Sequence, residues 1–109
     1  NMHVEKPWGH ENIWAVTDKY VGKILFIKDG HKLSLQYHKI KKETIMVQSG
    51  LLTLEIGDAV LFMRQGDVCH IDPGTIHRMI AEHGDVSVIE VSTPELDDVV
   101  RLKDDYARS

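Results

Sequence analysis

Residues 30–50 read GHKLSLQYHKIKKETIMVQSG, an alternating stretch in which Gln36 and His38 stand two positions apart and Glu43 follows five residues later. A period of two puts Ser34, Gln36 and His38 on one face of a strand and Leu33, Leu35 and Tyr37 on the other. One face must line the interior. A polar group buried there without a partner costs about 1–3 kcal/mol, so three in a row imply a hydrogen-bonded network or a metal that uses their lone pairs. Glu43 opens the next strand after the turn KIKK, and antiparallel pairing of the two strands would return its carboxylate beside His38. His77, after the tight turn DPGT, would add a fourth donor from across the barrel. Two imidazoles, a carboxylate and an amide oxygen suit a borderline or hard divalent ion: zinc foremost, with manganese, nickel or iron admissible. The competing account is a metal-free polar cluster bridged by water.

Outward from this stretch the chain repeats short alternating segments between Gly, Asp and Pro punctuation, with no sustained helical periodicity. The expected strands are Tyr20–Lys28, Lys32–His38, Glu43–Val47, Leu51–Ile56, Ala59–Met63, Val68–Ile71, His77–Ala81 and Val86–Ser92. So many short strands make an all-β barrel or sandwich, because a single sheet of that size leaves an apolar face uncovered. The N-terminal EKPWGHENIW reads as irregular, with Trp8 and Trp14 as packing anchors. The C-terminal STPELDDVVRLKDDYARS offers Val99, Val100, Leu102 and Tyr106 to cover one side of the barrel.

At 109 residues and 42% hydrophobic content the chain is expected to form one domain with one core, spanning residues 2–109. Asn1 before Met2 looks like a tag remnant and is set aside. A net charge of -4 offers no basic field to gather nucleic acid or an anionic membrane. The single cysteine, Cys69, cannot form an intrachain disulfide and reads as a small buried hydrophobe. With no leader or long apolar run, a soluble cytoplasmic protein is the expectation.

The two stretches G-x5-Q-x-H-x4-E-x6-G, from Gly30 to Gly50, and G-x7-G-x2-H, from Gly66 to His77, resemble the two motifs of the cupin superfamily of small β-barrels. The first cupin motif usually has His-x-His before the Glu, and here Gln36 stands in place of the first histidine. Gln-x-His with a later Glu and His is similar to the metal set of phosphomannose isomerases. Nearly the whole chain resembles the C-terminal module of bifunctional mannose-6-phosphate isomerase and mannose-1-phosphate guanylyltransferase proteins. EKPWGHE, LSLQYHKIKKET, IDPGTIHR and VIEVSTPELDDVVRLKDDYAR carry that resemblance. It implies a single-domain jelly-roll cupin with a metal on Gln36, His38, Glu43 and His77.

Two cations compete for a substrate role. Lys23 shares its face with Leu25 and Ile27 and should reach the cavity, whereas Arg78 follows His77 and alternation turns it outward unless a bulge intervenes. The resemblance nominates Arg78 and the period nominates Lys23. Lys39, Lys41 and Lys42 read as a solvated turn, with a phosphate-attracting rim as the alternative. The first functional reading, from the resemblance, is isomerisation of a phosphorylated hexose, mannose 6-phosphate with fructose 6-phosphate. Lys23 or Glu90, in VIEVS, would be the base. The second is a sugar- or metabolite-binding cupin without catalysis. A metal-dependent dioxygenase is a more distant third. Open sheet edges, and the pairing common among cupins, lead to the expectation of a homodimer.

Overall fold

The computed structural model describes residues 2–106, so Asn1 and the end of the C-terminal stretch, Ala107, Arg108 and Ser109, lie outside the described residues. The strands are β1 (Met2–Lys6), β2 (Gly9–Val16), β3 (Val21–Ile27), β4 (His31–Lys32), β5 (Leu35–Tyr37), β6 (Glu43–Ser49), β7 (Leu52–Ile56), β8 (Ala59–Met63), β9 (Val68–Ile71), β10 (His77–Ala81), β11 (Val86–Ser92) and β12 (Val100–Lys103). They form two antiparallel sheets. One runs β1-β2-β3-β11-β6-β9; the other runs β12-β5-β10-β7-β8, with β4 also pairing β10.

Alternation explains which residues meet between the sheets. In β6, Glu43, Ile45 and Val47 are buried while Met46 and Gln48 are exposed, and in β3 Lys23, Leu25 and Ile27 are buried with Ile24 and Phe26 less so. Leu25, Ile27, Ile45, Val47, Leu52, Leu54, Ile71, Met79, Val86 and Val88 form one core between the sheets, with Trp8 joined to it. Each such aliphatic side chain contributes about 1.5–3 kcal/mol by leaving water. The DPGT turn needs Gly74 at φ 82, and its N–H donates to the His38 carbonyl at 2.7 Å, which seats the turn against the residue that follows β5.

Three expectations are corrected. The N-terminal stretch is a β-hairpin, β1 with β2, in which Lys6 pairs Gly9 around Pro7–Trp8; only the two residues of the tight connection interrupt its ladder. The expected strand Lys32–His38 is two short strands, β4 and β5, because Leu33 and Ser34 turn inward together, Leu33 joining the core and Ser34 meeting the Gln36 side chain. Most consequentially, β5 and β6 do not pair. They belong to opposite sheets, and the connection 38–42 crosses between them.

The C-terminal stretch does cover the barrel, as β12 on the edge beside β5. Tyr106 packs on the core and bonds His31 Nδ1 through its hydroxyl at 2.7 Å. Asp98 is the stretch's main anchor: its carboxylate accepts from the N–H groups of Lys39, Ile40 and Lys41 at 3.1, 2.7 and 2.9 Å. Among the described residues no helix is long and apolar enough to cross a membrane.

Candidate functional site

His38, Glu43 and His77 converge: each is buried, and one ligand atom from each lies within 4.8 Å of the others. The routes differ from the expected ones. His77 is not across the barrel but is the cross-strand neighbour of Gln36 in the same sheet, whereas Glu43 arrives from the opposite sheet. Glu43 Oε1 lies 2.9 Å from His38 Nε2 and 3.3 Å from His77 Nε2.

The tautomers decide what this arrangement can hold. His38 donates from Nδ1 to the Asp98 carbonyl and His77 donates from Nδ1 to the Thr75 carbonyl at 2.9 Å. A carbonyl only accepts, so the proton of a neutral ring sits on Nδ1 and Nε2 presents a lone pair. Two nitrogen lone pairs then face one carboxylate oxygen, an arrangement that calls for a cation between them. His77 Nε2 is fully buried with no hydrogen-bond partner among the described residues, since its approach to Glu43 lacks hydrogen-bond geometry. Imidazoles oriented through Nδ1 by main-chain carbonyls and converging with a carboxylate are what a divalent ion requires. The residues fit a metal. Gln36 lines the adjoining cavity, and its Oε1 accepts from the Ser34 hydroxyl at 3.1 Å.

The cavity, about 110 Å³, also receives Lys6, Glu11, Lys23, Lys41, Glu90 and Arg101. Its charges form one chain. Lys41 Nζ is 3.0 Å from Glu90 and 3.7 Å from Glu43 Oε2; Lys23 Nζ is 3.9 Å from Glu90 and 3.7 Å from Glu11. Burial, followed by the nearby Glu43 charge, pushes the Glu90 carboxyl up to about 7 against the pull of Lys41 and Lys23. Burial also works against the Glu43 carboxylate, but a proton shared with the His38 and His77 rings in the metal-free site, and then the Lys41 charge, outweigh it and hold Glu43 well below the usual carboxylate range; a cation between the rings would take the place of that proton. Burial disfavours the Lys41 ammonium too, and the charges of Glu90 and Glu43 overcome it and raise Lys41 above the ordinary lysine value.

Of the expected substrate-side residues, Lys23 and Glu90 both reach the cavity, as direct cross-strand partners on β3 and β11. Arg78 does not line it. No bulge turns it back: the guanidinium donates from Nε to the Leu33 carbonyl at 2.8 Å and from Nη2 to Asp105 at 2.9 Å, clasping the C-terminal segment. His70 is exposed and meets Thr44 rather than the cavity. Cys69 is half-buried against the core, and burial pushes its thiol up.

Sequence reasoning took Lys41 for part of a solvated turn, with a phosphate-attracting rim as the alternative, and missed Glu11. Lys41 is buried, not part of a solvated turn. The signal was present, since Lys41, Glu43, Ile45 and Val47 share one parity and Lys41 extends the buried face of β6 backward. Glu11 shares parity with buried Ile13 in the same way, hidden by the irregular reading of its segment.

Residues 1–104 match the family described as mannose-6-phosphate isomerase C-terminal. The xanthan biosynthesis protein XanB of Xanthomonas campestris pv. campestris is 32% identical over 97% of this chain and 24% of that protein. The mannose-1-phosphate guanylyltransferase ManC of Salmonella typhimurium is 31% identical over 99% of this chain and 24% of that protein. The chain thus spans about a quarter of the length of these curated relatives. Among solved structures, KdgF from Halomonas sp. superposes with a TM-score of 0.78 at 21% identity, covering 84% of each chain. A cupin-2 domain from Rhodospirillum rubrum superposes with a TM-score of 0.78 at 15% identity, over 84% of this chain and 64% of that one. The fold is the cupin barrel.

Proposed function

The chain belongs to the mannose-6-phosphate isomerase C-terminal family, and from that premise we propose that it isomerises a phosphorylated hexose, interconverting mannose 6-phosphate and fructose 6-phosphate. The observation that carries this reading is the joining of the His38, Glu43 and His77 cluster, of which His38 and Glu43 line the cavity, to a buried carboxyl through a shared lysine: Lys41 lies 3.0 Å from Glu90 and 3.7 Å from Glu43. Aldose–ketose isomerisation moves a proton between adjacent carbons through an enediol, so it needs a base beside an electrophile and a holder for the phosphate. A divalent ion on Gln36, His38, Glu43 and His77, zinc foremost, would supply the electrophile that stabilises negative charge developing on the sugar oxygens.

Glu90 takes the proton from the sugar carbon and returns it to its neighbour. Its position near neutrality allows both steps, because neither protonation state is strongly favoured. Lys41 holds the ionised Glu90 and orients it against the triad. Lys23, between Glu11 and Glu90, either supports the base or attracts the phosphate. Arg78 serves the fold. The reaction is assigned to a soluble, cytoplasmic protein acting as a homodimer; Met46, Val68 and Val91, exposed on the sheet that runs β1-β2-β3-β11-β6-β9, support the pairing, which light scattering in solution tests.

A second reading, sugar or metabolite binding without turnover, is favoured by one observation. Lys6, Lys23 and Lys41 each lie within ion-pair distance of a cavity carboxylate, so an incoming phosphate competes with Glu11, Glu43 or Glu90. A coupled assay with several hexose phosphates on metal-defined protein separates the two. Turnover of mannose 6-phosphate, lost by about 10²–10⁴ in kcat in Glu90→Gln with metal content intact, supports the isomerase. Saturable binding with no turnover of any hexose phosphate favours the binding module.

A further inference from the structure

The β1–β2 hairpin carries chemistry on both faces. Lys6 and Glu11 point into the cavity, while His3 and Glu5 alternate along β1, with the register placing Glu5 opposite His10 and His3 opposite Asn12. Residues opposite each other on adjacent strands are close enough to share a ligand. His3 Nε2 lies 2.5 Å from Glu5 Oε2, the His3 and His10 rings are 4.6 Å apart between centroids, and one ligand atom from each of His3, Glu5 and His10 falls within 4.8 Å of the others.

Two further contacts orient these rings. The Asn12 carboxamide oxygen lies 2.8 Å from His3 Nδ1 and accepts its proton, which leaves Nε2 on the side of Glu5 and His10. The His10 ring is stacked on Phe26 at 5.1 Å and so is fixed from beneath. A ring whose Nδ1 is engaged by an oxygen acceptor while Nε2 faces a carboxylate is also the arrangement of His38 and His77 inside the barrel.

We propose that His3, Glu5 and His10 form a second metal site, on the outer face of the hairpin, for a borderline divalent transition ion such as zinc, nickel or copper. Two imidazoles with one carboxylate select that class over magnesium or calcium, which prefer all-oxygen shells. His3 and Glu5 are 54% and 79% exposed, so the remaining coordination positions are open to water and the ion exchanges freely. Binding has a structural consequence. Among the described residues β1 is the edge of its sheet and pairs only with β2, so an ion shared between His3 and Glu5 on β1 and His10 on β2 ties the edge strand down. Lys6 and Glu11 ride on the same two strands, and occupancy therefore firms one wall of the cavity.

The test is to titrate zinc into the metal-stripped full chain against a chromophoric chelator, beside His3→Ala, His10→Gln and the isosteric Glu5→Gln. The wild type should bind one more zinc ion than His3→Ala or His10→Gln, with Glu5→Gln weakened. The inner site contributes equally to all four proteins, so its own failure changes the totals and not the difference. With zinc at about ten times the dissociation constant, hydrogen exchange of the β1 amides should slow about tenfold in the wild type and not in the two histidine variants. Equal zinc counts in the wild type and the variants, or β1 exchange that does not respond to zinc, would overturn the proposal.

Discussion

His38 donates its Nδ1 proton to the main-chain carbonyl of Asp98, sixty residues further along the chain. The carboxylate of the same Asp98 gathers the N–H groups of Lys39, Ile40 and Lys41, so one residue aims a candidate ligand and shapes the crossing that delivers Lys41 and Glu43.

Asp98→Ala keeps the carbonyl but frees that crossing, and metal affinity at the inner site should fall about 10–100-fold, as when an outer partner of a ligand is lost. The bonds from Lys41, then Ile40 and Lys39, hold the Asp98 carboxyl at about 2, below its ordinary 3.8. A depressed carboxyl stabilises the fold above its unfolded pKa, so the difference in unfolding midpoint between wild type and Asp98→Asn should be full above pH 3.8 and close as pH falls through about 2. A difference that is constant through this window would show that the ionised carboxylate is not what matters.

Substitutions in the inner site should rank by donor strength. His38→Ala and His77→Ala should each remove one divalent ion per chain in elemental analysis, while Gln36→Ala should retain it with weakened affinity, because a neutral amide oxygen is the poorer donor. Equal losses for Gln36 and His38 would place the amide on the same footing as the imidazoles.

Lys23→Met and Arg78→Met should separate cavity from scaffold. Lys23→Met preserves the stem's volume and should keep fold and metal while lowering turnover, mainly through KM if Lys23 attracts phosphate and mainly through kcat if it supports the proton transfer. Arg78→Met should instead lower stability by about 1.5–3 kcal/mol, the range for hydrogen bonds to a charged group, and leave metal content and KM alone. Steady-state kinetics beside denaturant titration decides it; a raised KM in Arg78→Met with an unchanged midpoint would return Arg78 to the substrate.

Ending the chain after Pro94 should cost both stability and metal. Read from sequence, the C-terminal stretch is a cover for one side of the barrel, but it contains Asp98 as well as β12 and Tyr106. The denaturant midpoint should drop as the apolar surface under Val99, Val100 and Tyr106 is exposed at roughly 25 cal/mol per Å². Zinc retention should fall with it. A lower midpoint with full zinc retention would show that His38 holds its orientation without the Asp98 carbonyl.

Much of this was decided locally. Side chains alternate across a strand at every position, so parity identified the all-β class, set Lys23 with Leu25 and Ile27 on an inner face, and put Gln36 and His38 on one face; Glu43 and His77 were joined to them by an expected strand pairing, a turn and the resemblance, and the two motif spacings pointed to the cupin barrel. Parity says which way a side chain points and is silent about what stands opposite. Glu43 reaches His38 from the other sheet and not from a paired strand, His77 is the neighbour of Gln36 and not a donor from across the barrel, and Arg78 is drawn outward to Leu33 and Asp105. Lys41 passed for a turn lysine because its partners Glu90 and Glu43 are assembled only when β11 and β6 lie side by side. Asp98 left no local signal at all, since a carboxylate in a charged tail is ordinary until the closing of the barrel sets three unpaired N–H groups and an imidazole around it.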